Sequence, residues 1–305
     1  MKNAFCVILS KYRLYQGIAL YRSLDNKYPD FFMFILCVDE ETYQICSRLS
    51  LEKAILIKGK ELYDKRLIDV KNSRRLNEYC WTLKPFFISH ILYNYEFIEN
   101  AVSLDADIFF FQSPSPIFKR QGDFNVLLSE HNYLEKDMGV AEYCGKYNSG
   151  FIVFRKCSTT MKLLKWWEEK CIEWCFDGIG EGRFGDQKYL DNFEDLFEGV
   201  RLITVPGVNI APWNEDRYQF SERSGELYIN ENKLIFYHFC GLRLIDKSTF
   251  ALVIGSQEIN HYLHIPYTKA LRQVILDIEK LDPEFNGYSI EDHFKDRAKS
   301  YKISK

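Results

Sequence analysis

The chain has 305 residues, 47% of them hydrophobic and 27% charged, which is ordinary for a soluble globular protein and ample for one large or two small domains. A formal net charge of -3 argues against a dedicated nucleic-acid surface, and no stretch approaches the roughly 20 apolar residues needed to cross a bilayer. Aromatic residues are abundant (24 Phe, 20 Tyr, 5 Trp), which suits stacking on planar ligands or sugar rings as well as a large core.

In chain order, Ala4-Phe5-Cys6-Val7-Ile8-Leu9 reads as a short strand. It is too short for a secretory signal, and no small-residue cleavage site follows it. The nine cysteines form no regular framework, so reduced thiols in the cytoplasm are expected. Leu14, Ile18, Tyr21 and Leu24 recur at helical spacing, and residues 30–39 and 54–57 read as the next strands. Residues 76–95 read as a long helix with Pro85 at its start or at a kink, and 101–105 as a fourth strand. This alternation predicts an α/β fold, a mostly parallel sheet with helices on both faces, whose ligands gather at the C-terminal strand ends.

Further along, 124–130 and 150–156 read as strands and 158–176 as an amphipathic helix. A glycine-rich loop over 177–187 leads into another helix. Residues 226–239 read as a hairpin, 257–280 as a helix, and 285–305 as a polar tail that is basic at its end. The expected organisation is one α/β domain over 1–250 and a helical C-terminal extension over 251–305.

The chemistry concentrates in the apolar run 102–111, "VSLDADIFFF". Strand side chains alternate, so Asp105 and Asp107 point the same way. Left unpaired there, each carboxylate would be costly or would hold its proton. Two such acids can bind Mg2+ or Mn2+, hard cations that keep positions open for substrate phosphates. The plain alternative is a strand end with two solvated acids. His238, in "FYHFCG", is a third ligand candidate and suits Mn2+ better than Mg2+. From the residues alone, a core histidine satisfied by a backbone carbonyl is preferred.

Other groups carry weaker signals. His261 and His264 lie three apart and read as a solvated helix face, and Cys171 and Cys175 read as core packing rather than a metal pair. Asn148, Ser149 and Gly150 open a strand and either let amides approach a hydroxylated ligand or form a turn. Asp186 and Gln187 begin a helix, with Asp186 an N-cap or the pair turned to sugar hydroxyls. Gly178, Gly180, Gly182 and Gly185 lack the Lys-Ser/Thr that completes a P-loop and read as a mobile loop or lid.

Taken in order, "QGIALYRSL", "EYCWTLKPFF", "SLDADIFFFQSPSPIF", "YNSGFIVF", "WWEEKCIEWC", "FGDQKYLD", "APWN" and "FYHFCGL" resemble the nucleotide-diphospho-sugar transferases of the GT-A fold. Within them the pattern is similar to glycosyltransferase families 8 and 77, over roughly residues 4–243. The resemblance implies a Rossmann-like, mostly parallel mixed sheet flanked by helices. The implied reaction moves a hexose from a nucleotide-diphosphate sugar, by family habit a UDP-sugar, to a hydroxyl of a glycan or other acceptor. Bacterial surface-glycan synthesis is the implied setting.

Carried over residue by residue, the resemblance makes Asp105, Asp107 and His238 the ligands of Mn2+ or Mg2+, with Asp105 also touching the ribose. It reverses the reading of His238 given above. Asn148 with Ser149, and the Asp186-Gln187 pair, would hold the donor sugar, and Lys84 would lie near the diphosphate or sugar. Ser10 and Asp39, at two strand ends, would contact base and ribose. Family 8 places a Lys soon after the Gly that follows the His; here Arg243 is the nearest candidate for the diphosphate. Retention of configuration is implied, with Asp186 supporting the oxocarbenium ion. An inverting enzyme would need a base, for which Glu130 is a candidate. The alternatives are a non-catalytic sugar-nucleotide or glycan-binding protein and, lower, a sugar-1-phosphate nucleotidyltransferase, whose Gly-rich signature "LSKYRLYQG" lacks. The basic end over 295–305 reads as a solvated tail, with peripheral contact to anionic lipid at the inner face of the membrane as the alternative.

Overall fold

Apolar runs rich in Val, Ile and Phe alternate with amphipathic segments, and in a computed structural model they become strands and helices in turn. Residues 2–303 are described, other than 63, 121, 179, 290, 291 and 297. The first part runs β1 (Asn3–Leu9), α1 (Leu14–Lys27), β2 (Phe32–Cys37), α2 (Glu40–Arg48), β3 (Ala54–Lys58), α3 (Lys65–Ser73) and α4 (Leu76–Asn94). Then follow β4 (Asn100–Leu104), β5 (Ile108–Phe110), α5 (Ser115–Arg120), β6 (Val126–Glu130), α6 (Met138–Cys144), β7 (Tyr147–Arg155), α7 (Ser158–Glu173), α8 (Phe193–Leu196) and β8 (Val200–Leu202). The main sheet has the order β3-β2-β1-β4-β7-β6-β8. Only β7 runs against its neighbours; all other pairs in this sheet are parallel.

Alternation along the strands gives the sheet two buried faces. Phe5, Val7 and Ile35 pack into one core with Ile18 of α1, while Ala4, Cys6 and Phe34 pack into the other with Leu83 of α4 and Trp167 of α7. Cys171 and Cys175 lie fully buried in that second core. Helix α4 continues past Pro85, which is neither its start nor its end. Proline leaves the Trp81 carbonyl without its usual N–H donor, and burial of Leu83, Phe87 and Ile91 offsets that loss.

The predicted 226–239 hairpin divides. After β9 (Phe220–Arg223), β10 (Glu226–Ile229) pairs with β9 and with the two-residue β11 (Asn232–Lys233). The second arm then leaves this sheet: β12 (Phe236–His238) pairs antiparallel with β5. Burial explains the break, since β11 is exposed while every residue of β12 is buried.

Beyond it, β13 (Leu242–Asp246) and β14 (Thr249–Leu252) form a hairpin, and α9 (His261–Leu281) packs on α1. His264 is buried rather than solvated, its Nδ1 accepting the Asn260 N–H at 3.0 Å, while His261 is exposed. Part of the sequence read as a tail is a strand, β15 (Lys299–Lys302), which pairs with β14 and sets Tyr301 against Phe250. Lys299 meets Glu258 at 2.5 Å and Lys302 donates to Thr249 Oγ1 at 2.6 Å, so these lysines are engaged within the chain. Arg297, Ser304 and Lys305 of the basic end lie outside the described residues. Among the described residues, no helix is long and apolar enough to cross a membrane.

Candidate functional site

Strand β4 delivers Asp105 to the C-terminal edge of the main sheet, where the chain turns into β5 and sets Asp107 beside β12. Backbone bonds tie this turn at both ends. The Asp105 N–H donates to the Gly150 carbonyl (2.9 Å), and the Phe239 N–H to the Asp107 carbonyl (2.8 Å). His238, at the end of β12, then places Nε2 3.0 Å from Asp107 Oδ1 and 3.8 Å from Asp105 Oδ2. The imidazole is 2% exposed, and its Nδ1 has no hydrogen-bond partner among the described residues. A ring held by a backbone carbonyl, the preferred reading of the residues alone, is therefore not what the fold builds.

Charge dominates this corner. Burial works against the charged form of both groups. The pairing outweighs it, holding Asp107 well below the usual carboxylate range and raising His238 above its ordinary value. Gly150 leaves the room this needs, since a Cβ there would lie 2.6 Å from His238 Cε1 and 2.7 Å from Asn148 Oδ1. One ligand atom each from Asp107, His238 and Cys240 lie within 4.8 Å of one another. Asp107 and His238 meet here with Asp105 Oδ2 3.8 Å from the same imidazole nitrogen, and a carboxylate and imidazole set suits Mn2+ better than Mg2+, which prefers oxygen alone.

A second cluster adjoins the first through Asp105. Lys84 of α4 is 6% exposed and reaches Asp105 Oδ1 (2.8 Å), Asp186 Oδ2 (3.1 Å) and Ser149 Oγ (3.0 Å). Burial alone would favour the neutral amine, but the two carboxylates overcome it and keep the ammonium charged. For Asp186 the balance is reversed: burial is the larger effect, and its carboxyl stays above its ordinary value despite Lys84. Asp186 is no helix cap. Gln187 occupies the cap position of the short 3-10 turn over Lys188–Asn192, and its side chain makes no cap bond. The buried Trp167 indole instead holds the Asp186 carbonyl at 2.9 Å.

Asn148 and Gln187 mainly hold each other. Gln187 Oε1 accepts from Asn148 Nδ2 (3.2 Å) and the Ser149 N–H (3.3 Å), while its Nε2 donates to the Cys144 carbonyl (2.8 Å). Asn148 Nδ2 also faces His131 Nε2 at 3.2 Å, and burial keeps that imidazole neutral by lowering its pKa to about 3.

Ser10 and Asp39 sit at the same sheet edge, ending β1 and β2. The Asp39 carboxylate accepts the N–H groups of Lys11 (3.0 Å) and Thr42 (2.8 Å), tying the two strand ends together. A cavity of about 520 Å3 opens there, walled by Val38, Asp39, Lys58 and Tyr79. Arg243, on β13, and Arg13, in the turn after β1, both lower the Asp107 pKa through their charge. Glu130, at the end of β6, pairs with Lys146 at 3.3 Å.

The fold thus brings Asp105, Asp107, His238, Lys84, Ser149 and Asp186 into one contact chain, with Asn148 and Gln187 adjoining it. Ser10 and Asp39 share the edge. Sequence reasoning missed Arg13, Cys240 and His131, and Trp213, whose ring stands 5.4 Å from that of His238. Arg13 lies three residues past Ser10 and Cys240 two past His238, so proximity to chosen residues was the available signal. His131 directly follows Glu130, and Trp213 lies in the quoted "APWN" segment, so the same kind of signal was there for both.

A model of the family described as nucleotide-diphospho-sugar transferase matches residues 32–192. Two relatives from Bacillus subtilis (strain 168), both described as uncharacterized, span nearly the whole chain. YfnF is 38% identical over 303 residues, 97% of this chain and 100% of its own. YfnD is 30% identical over 295 residues, 95% of each. Among solved structures, the apo-form glycosyltransferase GlyE of Streptococcus pneumoniae TIGR4 superposes with a TM-score of 0.54 at 13% identity, covering 93% of this chain and 64% of that one. An active-site mutant of LgtC gives 0.50 at 14% identity, covering 78% and 87%. At these identities the two structures speak for the fold alone, and it is the expected one.

Proposed function

The chain belongs to the nucleotide-diphospho-sugar transferase family and is a nucleotide-sugar glycosyltransferase of the GT-A fold; from that premise we propose that it is a metal-dependent hexosyltransferase. It takes a UDP-sugar, retains configuration at the transferred carbon and serves surface-glycan synthesis. The observation that carries this reading is the meeting of Asp105, Asp107 and His238 at the edge of the sheet, with His238 Nε2 3.0 Å from Asp107 Oδ1.

Asp105, Asp107 and His238 would hold Mn2+ or, less suitably, Mg2+, which when bound supplies a Lewis acid for the diphosphate leaving group. Arg243 and Arg13 add positive field on the same side, suited to orienting the diphosphate oxygens. Ser10 and Asp39 form the nucleoside end, beside the cavity that Asp39 borders. Lys84 fixes Asp105 and Asp186 relative to each other, so that one carboxylate serves the nucleotide side and the other the sugar side. Asp186 is aimed from a buried position, where its charge is little screened and supports positive charge developing on the sugar ring. Asn148 and Gln187 brace that wall of the pocket through their mutual hydrogen bond.

The test is acceptor-free hydrolysis of a panel of sugar nucleotides, with Mn2+ and with EDTA, on wild type and Asp107→Asn. Slow, metal-dependent release of UDP from one donor, lost in the variant, is the expected result. Release that ignores EDTA and the substitution would refute the metal reading.

A further inference from the structure

The loop over 203–214 has two faces. Trp213 turns toward the site just described, its indole N–H donating to the His131 carbonyl at 2.8 Å and its ring meeting His238. Residues 203–210 also wall a second cavity, of about 220 Å3, closed by the end of β6 and by the β9–β11 sheet. One water needs roughly 10–15 Å3 of such space, and drug-sized ligands occupy upwards of about 300 Å3, so a single ring is the scale that fits.

Its chemistry is that of amides and hydroxyls. Asn132, Asn209, Asn230, Asn232, Tyr218 and the carboxylate of Glu130 line it. Among the described residues no Lys, Arg or His lines it, so an anionic ligand would find no counter-charge in the wall. Ile203 and Val208 offer apolar surface for the C–H face of a ring.

Asn209 fixes the wall to the end of β6. It is 2% exposed and holds a left-handed backbone (φ 55°), which asparagine adopts more readily than other residues with a side chain. Its Nδ2 donates to the Glu130 carbonyl at 2.9 Å, while its buried Oδ1 has no hydrogen-bond partner among the described residues.

We propose that this cavity is a subsite for a neutral sugar unit of the acceptor glycan, one unit beyond the sugar that receives the hexose. The inference rests on the transferase reading above and assigns it an oligosaccharide acceptor. The shared loop sets the geometry: one segment carries Asn209 in the subsite wall and Trp213 beside the metal-ligand candidate.

Saturation-transfer NMR tests this with lactose, maltose, cellobiose and N,N'-diacetylchitobiose at millimolar concentration, in the presence of UDP and Mn2+. At least one disaccharide receives saturation from the wild-type chain. Asn232→Ala and Tyr218→Phe each weaken that binding about fivefold, the worth of one hydrogen bond, with the melting temperature unchanged. Absence of transfer to every disaccharide, or transfer undiminished in both variants, overturns the subsite. Failure of the transferase reading shows separately, as absence of Mn2+-dependent UDP binding in the same samples.

Discussion

At the scale of single residues, the site depends on one missing side chain and one buried charge. Gly150 has no Cβ, and the space is taken by His238 and Asn148. Gly150→Ala should therefore push the imidazole away from Asp107, destabilise the fold by about 1–3 kcal/mol and weaken Mn2+-dependent UDP binding. Thermal melting and calorimetry on the same variant check both. Lys84 is the counter-charge for two carboxylates, of which Asp186 is almost fully buried. Lys84→Met strands them and should cost about 3–5 kcal/mol in urea unfolding. A loss below about 1 kcal/mol would mean that the carboxylates simply take up protons.

The acids were legible because two carboxylates inside an apolar run demand a positive partner, and the resemblance added His238. The resemblance implies Lys84 near the diphosphate or sugar; the structure adds that it links Asp105 and Asp186. Arg13, Cys240 and His131 were legible only as neighbours of chosen residues. That spacing does not record that tertiary packing brings them near Asp107 or Asn148.

At the scale of elements, the strands and long helices followed from periodicity, but the sequence reading went wrong where a segment changed partners. Residues 226–239 look like one hairpin because both arms are apolar; only the burial demand of β5 draws Phe236–His238 out of it and carries His238 to Asp107. Helix α9 braces that strand from behind, Tyr267 stacking on Phe239 at 3.8 Å. Its first turn depends on neutral His264, whose Nδ1 accepts the Asn260 N–H and whose pKa burial lowers to about 4.

The sign follows from linkage: a folded pKa below the unfolded value near 6.5 gives stability that is complete above that pH and is lost as pH falls toward 4. Wild type should thus lose about 2 kcal/mol more than His264→Gln between pH 7 and pH 5, read from urea midpoints. Equal losses in the two proteins would show that this histidine does not limit the helix in acid.

At the scale of the molecule, a sheet in which only β7 runs against its neighbours gathers the ends of β1, β2 and β4 along one edge. That edge carries Ser10, Asp39 and Asp105, as the α/β pattern implied, and the return strand β7 adds Asn148 and Ser149 from the opposite direction. The parallel half was legible in the strand–helix alternation. The reversal of β7 was not, because a nine-residue apolar strand reads the same in either direction.

The central claim is that this edge binds a nucleoside diphosphate through a divalent cation held by Asp105, Asp107 and His238. The most direct measurement is calorimetric titration of UDP into the wild-type chain with Mn2+ and with EDTA, repeated for Asp107→Asn and His238→Ala. The account predicts binding with Mn2+, loss of at least tenfold in affinity with EDTA, about 1.4 kcal/mol, and a similar loss in both variants with Mn2+ present. UDP binding equal with and without the cation, and unmoved by either substitution, would contradict it.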